Sequence, residues 1–204
     1  MEIRFEGNQQ ATRDKKAKIR FLKEMEDVIY DREWFKDAKN LELYYVYRAI
    51  KREGDLRYDI TEIPAKMLGK EFVKTKGNRN SKGYQELYTV LEGEAILLMQ
   101  KNKEDIVEDV IAVKAKGGDW IIVPPDYTVI TINPSQKLLK TGNWVSEKTE
   151  NLYEDIEKMK GACYFYTESG WTKNKNYKTI PELRFEKPLK SRPKNLDFLK
   201  KPEW

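Results

Sequence analysis

The stretch Lys74-Thr-Lys-Gly-Asn-Arg-Asn80, followed by Glu86-Leu-Tyr88, gathers ammonium, hydroxyl, amide, carboxylate and phenol groups in a short span. If it forms a strand without a bulge, alternation puts Lys74, Lys76, Asn78 and Asn80 on one side. Imidazole chemistry is excluded, because none of the 204 residues is histidine. That removes Ser–His and Cys–His nucleophilic pairs, His-based metal sites and His₂Cys₂ zinc fingers. Catalysis has to run on Glu, Asp, Lys, Tyr or backbone dipoles. Cys163, the one cysteine, sits in Ala-Cys-Tyr-Phe-Tyr with no base or basic run beside it and reads as a small buried apolar residue. It cannot form an internal disulfide, so a reducing cytoplasm is the expected compartment.

The elements that would position these groups are mostly strands. With 39% hydrophobic, 36% charged and 12% aromatic residues, the chain reads as a folded domain with a heavily charged surface. No apolar run is long enough to cross a bilayer, and no signal peptide is expected from the polar start MEIRFEGNQQ. A short helix is expected over residues 31–40, with Asp31 capping it and Trp34, Phe35 and Ala38 on one apolar face. From Leu41 the pattern turns to period two. Strands are expected at 41–50, 56–63, 71–76, 86–100, 106–114, 120–123, 127–132, 137–144 and 162–167. Gly54, Gly93, Gly117-Gly118, Pro124-Pro125 and Asn133-Pro134 mark breaks, and a late helix is expected over 152–159. Closely spaced strands without intervening helices imply an antiparallel sandwich or small barrel.

Residues 172–204 differ from the rest. They hold ten Lys/Arg against four acids, a net +6, while the rest of the chain nets −1. They also hold Pro181, Pro188, Pro193 and Pro202. This tail reads as an irregular strap without regular structure of its own, its apolar residues docking on the main domain or on a second subunit. A basic arm for nucleic acid or an acidic partner is the less favoured reading, since no binding motif accompanies it. The expected division is an N-terminal arm and helix at 1–40, a β body at 41–167 and a basic extension at 168–204.

Two stretches carry a resemblance. Gly118-Asp-Trp-Ile-Ile-Val-Pro124, then Val129 to Asn133, is similar to the second motif of the cupins, with Val129 where the ligand histidine stands. In the first motif Asn78 and Asn80 occupy the two histidine positions, and Glu86 remains. Gly69-Lys-Glu-Phe72, Thr75-Lys76-Gly77, Glu86-Leu-Tyr88, Arg20-Phe-Leu22, Asp31-Arg-Glu-Trp34, Tyr44-Tyr-Val-Tyr47 and Glu53-Gly-Asp-Leu56 resemble, in order, the cupin-type glucose-6-phosphate isomerases. The resemblance covers roughly residues 18–166. It implies a mainly β cupin, a double-stranded β-helix or jelly-roll barrel, with a short N-terminal helix, one late helix and the basic proline-containing extension.

It also implies interconversion of glucose 6-phosphate and fructose 6-phosphate in the cytoplasm, by a homodimer that usually carries a divalent metal. The implied phosphate residues are Thr61, Thr75 and Gly77. Tyr44, Tyr88 and Glu86 line the sugar, and Tyr153 matches a later substrate-contacting tyrosine. With the histidine positions replaced, no cofactor is expected beyond a weakly held ion at Asn78, Asn80 and Glu86. Glu86 would serve as the base, and the Lys76 ammonium could stand in for the metal's charge. A salt bridge to Lys74 or Lys76 would be the structural role for Glu86. The expected ligand is a small sugar phosphate, bound at no membrane. Isomerisation would be impaired or metal-independent, and a non-catalytic pocket for a sugar phosphate or small anion is the alternative.

Overall fold

The computed structural model describes residues 16–202. The first part of the expected N-terminal arm, 1–15, and tail residues 203–204, with Trp204, lie outside the described residues. Two six-stranded sheets make the body. The first runs β1 (Lys18–Phe21), β2 (Glu42–Glu53), β3 (Leu56–Ile63), β12 (Leu139–Ser146), β7 (Glu86–Glu92), β10 (Trp120–Val123). The second runs β13 (Asn151–Leu152), β6 (Asn78–Asn80), β11 (Thr128–Ile132), β8 (Glu94–Lys103), β9 (Ile106–Lys116), β16 (Arg184–Glu186). From β6 to β12 the chain crosses repeatedly between the sheets, which is the winding of a jelly-roll barrel. A small third sheet of β15 (Gly170–Lys173), β14 (Tyr164–Thr167), β5 (Glu71–Phe72) and β4 (Met67–Leu68) lies beside them. No helix among the described residues is long and apolar enough to cross a membrane.

The expected first helix forms as α1 (Arg32–Asp37), where Asp31 accepts a hydrogen bond from the Trp34 amide at 3.1 Å. The late helix, α2 (Glu154–Lys158), buries Ile156. Two features lay outside the sequence pattern. The 18–21 stretch adds an edge strand to the first sheet, and a 3-10 turn over Leu22–Val28 buries Leu22, Met25 and Val28 in the main core. The expected strand at 71–76 is a correction. It breaks into β5, a lone bridge from Lys74 to Ile132, and β6, with Gly77 at φ +89° between them.

Parity in the first sheet is the reverse of the usual pattern. Leu56, Tyr58 and Ile60 of β3, Leu87 of β7 and Trp144 of β12 point away from the barrel interior into a second apolar cluster. The tail closes that cluster with Leu196 and Leu199. Full burial of a leucine contributes about 1.5–3 kcal/mol, so the tail is part of the packing. The expectation of an irregular strap is corrected as well. β16 pairs in parallel with β9 (Phe185 opposite Ala112), and Leu189 and Trp120 exchange backbone hydrogen bonds at 2.8 and 2.9 Å. Prolines 181, 188 and 193 flank these short pairings and leave the donating amides intact. Several tail cations meet body acids, among them Arg184 on Asp109 at 2.7 Å and Lys190 on Asp119 at 2.7 Å.

Candidate functional site

With the apolar residues of β3 turned outward, Arg57, Asp59 and Thr61 turn inward. Cross-strand register builds the wall from there. Thr61 pairs with Val46 of β2, Asp59 with Asn143 of β12, and Asn143 in turn with Tyr88 of β7. Val145 stands between Arg57 and Glu86 in the next row. Lys18 and Arg20 extend the wall from β1, opposite Val46 and Tyr44. The second sheet contributes Asn78 of β6 and Asn151 of β13, with Thr75, Gly77 and Tyr153 from the adjoining segments. These groups line a single cavity that opens to solvent.

The cavity divides along β3. At one end, Thr75 exchanges two bonds with Thr131: its amide donates to the carbonyl at 2.9 Å, and its Oγ1 accepts from the amide at 3.0 Å. The hydroxyl proton of Thr75 remains available to a ligand. Gly77 cannot be replaced there without strain. A Cβ on it would come within 2.6 Å of Ile156 Cδ1 and 2.8 Å of Ile130 Cγ1. Tyr44 Oη accepts from the Lys76 amide at 3.2 Å, which fixes the ring beside Arg20, and Arg20 holds Glu24 at 2.9 Å.

At the other end, Asp59 is shared by two guanidiniums. Arg48 Nη1 lies 2.9 Å and Arg57 Nε 3.0 Å from its Oδ2. Its Oδ1 accepts from the Ala49 amide at 2.7 Å, at a bulge in β2 where Ala49 adopts φ +50°. Beside this cluster Glu86 is 3% exposed. Burial pushes its carboxyl above the usual range, and a hydrogen bond with Tyr88 opposes part of that rise. Asn143 Nδ2 donates to Glu86 Oε2 at 3.4 Å. Burial, with Glu86 next to it, holds the Tyr88 phenol well above its ordinary value, so Tyr88 stays a donor. A carboxyl whose charged form is disfavoured by burial, set beside fixed donors, is suited to exchanging a proton with a ligand.

Thr61, Thr75, Gly77, Tyr44, Tyr88, Tyr153 and Glu86 all line this one cavity. Lys76 does not. Its Nζ sits 2.5 Å from Glu157 Oε1 and donates to Glu24 O at 3.0 Å, outside the wall. Lys74 turns into the protein instead, bonding Glu71 and the Val28 carbonyl. The broken backbone over 73–77 undoes the alternation that would have aimed both lysines inward. Glu86 therefore has neither as a salt-bridge partner, which corrects the structural role expected for it. The cations in the cavity wall are Lys18, Arg20, Arg48 and Arg57. Sequence reasoning missed them, along with Asp59 and Asn143. The available signal was parity: Arg48 lies four residues from Tyr44, and Arg57 lies four from Thr61. Cys163 is fully buried and its thiol is pushed up to about 12 by burial, so it supplies no nucleophile.

The donors fit a tight transition-ion site poorly. Among the described residues no three His, Cys, Asp or Glu side chains converge. Val129 stands opposite Asn78 in the β6–β11 register and offers no ligand atom. Asn80 gives its Nδ2 to Tyr84 O at 3.2 Å, leaving a buried Oδ1 with no partner among the described residues. That oxygen would suit a water, a ligand hydroxyl or at most a hard, weakly held ion.

A family model described as glucose-6-phosphate isomerase (GPI) matches residues 14–182. The chain is 30% identical over 124 residues to the glucose-6-phosphate isomerase of Pyrococcus furiosus, covering 58% of this chain and 64% of that relative. It thus spans less than two thirds of the curated relative's length. Among solved structures it is similar to the Schizosaccharomyces pombe Cnp3 cupin domain (TM-score 0.38, 11% identity, 62% of this chain and 78% of that one). It is also similar to an oxalate oxidase in complex with the substrate analogue glycolate (TM-score 0.43, 8% identity, 54% of each chain).

Proposed function

Since the chain belongs to the glucose-6-phosphate isomerase family, we propose that its cavity binds a hexose phosphate and interconverts the aldose and ketose forms without a tightly bound metal. Asn78, Asn80 and Val129 stand, on this reading, where the family's metal ligands would be. The observation that carries the proposal is Glu86: a buried carboxyl, raised by burial, in a cavity whose far end presents a threonine hydroxyl and a glycine turn.

The phosphate sits against Thr61, Thr75 and Gly77, within reach of Arg20. Thr61 and Arg57 are four residues apart on β3, roughly 13 Å at about 3.3 Å per residue. That length accommodates an open-chain six-carbon phosphate, with its carbonyl end at Glu86. The Glu86 carboxylate takes the C2 proton of the aldose, the electron pair forms the C1–C2 double bond, and C1 oxygen gains charge. Glu86 returns the proton to C1, while the C2 hydroxyl proton passes to the C1 oxygen as C2 becomes the carbonyl. Tyr88, kept protonated, donates a hydrogen bond to the enediol oxygens. Tyr44 and Tyr153 hold the carbon chain between the two ends.

A coupled assay for fructose 6-phosphate formation on purified protein tests this. Loss of a general base costs about 10²–10⁴-fold, so Glu86→Gln is expected to lower turnover by that factor while EDTA leaves the parent rate unchanged. Equal rates in parent and variant, or activity seen only after Mn²⁺ is added, would refute the mechanism. Thermal stabilisation by glucose 6-phosphate without turnover would reduce the reading to binding alone.

A further inference from the structure

The late helix α2 splints the stretch that carries Gly77. Three consecutive helix residues reach it: Asp155 Oδ2 accepts from Arg79 Nη2 at 3.0 Å, Ile156 packs on Gly77, and Glu157 Oε1 lies 2.5 Å from Lys76 Nζ. Tyr153, at the N-cap position, lines the cavity itself. A helix of five residues has no stability of its own, so something else must hold α2 in place. The turn that ends it, with Lys160 at φ +56° and Gly161 at φ +119°, also presents the carbonyls of Met159, Gly161 and Ala162, which need donors.

The donors come from residues 174–177, just after β15. Asn174 is 3% exposed. Its Nδ2 donates to Met159 O and Ala162 O, both at 3.0 Å, with Gly161 O at 3.4 Å, and its own amide donates to Cys163 O at 2.8 Å. Asn176 Nδ2 adds a bond to Met159 O at 3.1 Å. Tyr177 Oη donates to Gly161 O at 3.1 Å and accepts from Gln100 Nε2 at 2.8 Å, while Gln100 Oε1 accepts from the Cys163 amide at 2.7 Å. Asn174, Asn176, Tyr177 and Gln100 all lie outside the cavity wall.

We propose that Asn174 is a positioning residue for the phosphate end of the cavity: it fixes α2, and α2 sets the Gly77 turn and Tyr153. The inference rests on the phosphate reading given above and extends it to a residue that no ligand touches. Leucine at 174 has nearly the same size and supplies no side-chain donor, which leaves Ala162 O without the bond it has here.

Isothermal titration with sorbitol 6-phosphate, which carries the phosphate and has no carbonyl to isomerise, reads that end of the cavity. Asn174→Leu is expected to weaken binding about tenfold, within the range for coupling through packed elements. In the assay for fructose 6-phosphate formation KM should rise by a similar factor with kcat within about twofold of the parent, because Glu86 lies at the other end. Tyr177→Phe gives up the phenol's two bonds and keeps those of Asn174, so it should weaken binding less. Thermal melting establishes that each variant is folded at the titration temperature, and Tyr177→Phe carries the test if the leucine variant is not. A lower melting temperature with unchanged affinity makes Asn174 structural only, and a kcat that falls with the affinity denies the route through the phosphate end. Either result overturns the inference and leaves the phosphate reading standing. Failure of sorbitol 6-phosphate to bind the parent overturns the phosphate reading, and this inference with it.

Discussion

Two clusters of charge built around buried carboxylates are finished differently. In the first, Glu71 and Lys74 are both almost fully buried, and each satisfies the other. Glu71 also accepts from the Tyr30 amide at 3.0 Å, and Lys74 reaches Val28 O at 2.8 Å with its ammonium 4.6 Å from the Phe165 ring centroid. Nothing there is left to offer a ligand. In the second, Arg48, Arg57, Asp59 and Glu86 line an open cavity, with two arginines on one carboxylate. Burial alone does not mark a functional charge. What separates the clusters is whether donors and acceptors balance inside the protein.

The contrast can be broken first at the closed cluster. Lys74→Met strands Glu71 without its cation, and removing one partner of a buried pair costs about 3–5 kcal/mol. Urea denaturation should show that loss, and the double variant Glu71→Leu/Lys74→Met should recover most of it. Ligand affinity of the folded protein should not move. A loss below about 1 kcal/mol would mean the pair is wetter than its geometry implies.

An intermediate effect is expected at the open cluster. Asp59→Asn removes charge-assisted bonds worth about 1.5–3 kcal/mol each in typical cases, though the exposure of Arg48 moderates the total. Because Asp59 no longer offsets the charge of Arg57 in the cavity wall, inorganic phosphate or a sugar phosphate should raise the melting temperature of Asp59→Asn more than that of the parent. Equal thermal shifts would remove the claim that Asp59 restrains an excess of positive charge.

The smallest stability change carries the sharpest contrast, because one type of substitution should act with opposite sign in the two places. Burial raises the Glu86 carboxyl, so the folded state binds that proton more readily than the unfolded chain. Its contribution is therefore fully present at low pH and is lost as pH climbs from the ordinary carboxylate range through the raised folded value. Glu86→Gln should melt above the parent at mildly alkaline pH, and the gap should close on acidification. Glu71→Gln should lower stability at the same alkaline pH, since it abandons the Lys74 ammonium. Paired thermal melts across pH decide it, and a Glu86→Gln variant that melts below the parent would contradict the assignment.

Much of the barrel was readable in advance because its strands are separated by turn residues with a physical reason to turn. Gly54 and Gly93 both take positive φ, as the breaks there require. Thr75, Gly77, Glu86 and Tyr88 were readable through the family pattern. Arg48, Arg57 and Asp59 were not, because the first sheet inverts the ordinary rule. Its apolar residues Leu56, Tyr58 and Ile60 look like a core face and its charged ones like a solvent face. The tail folds Leu196 and Leu199 over that apolar side and so keeps it from water. Lys74 and Lys76 were misplaced for a local reason. Alternation holds only while the backbone stays extended, and it does not between Val73 and Gly77.

The parallel pairing of β16 along β9 also bears on how the chain is made. Residues 106–116 emerge from a ribosome well before 184–186, so β9 has an open flank, with unpaired amides and carbonyls, until its late partner arrives. During that interval the nascent protein offers a template to any other extended chain. A ribosome-bound fragment stopped before Arg184 should therefore depend more on holding chaperones than the finished molecule does.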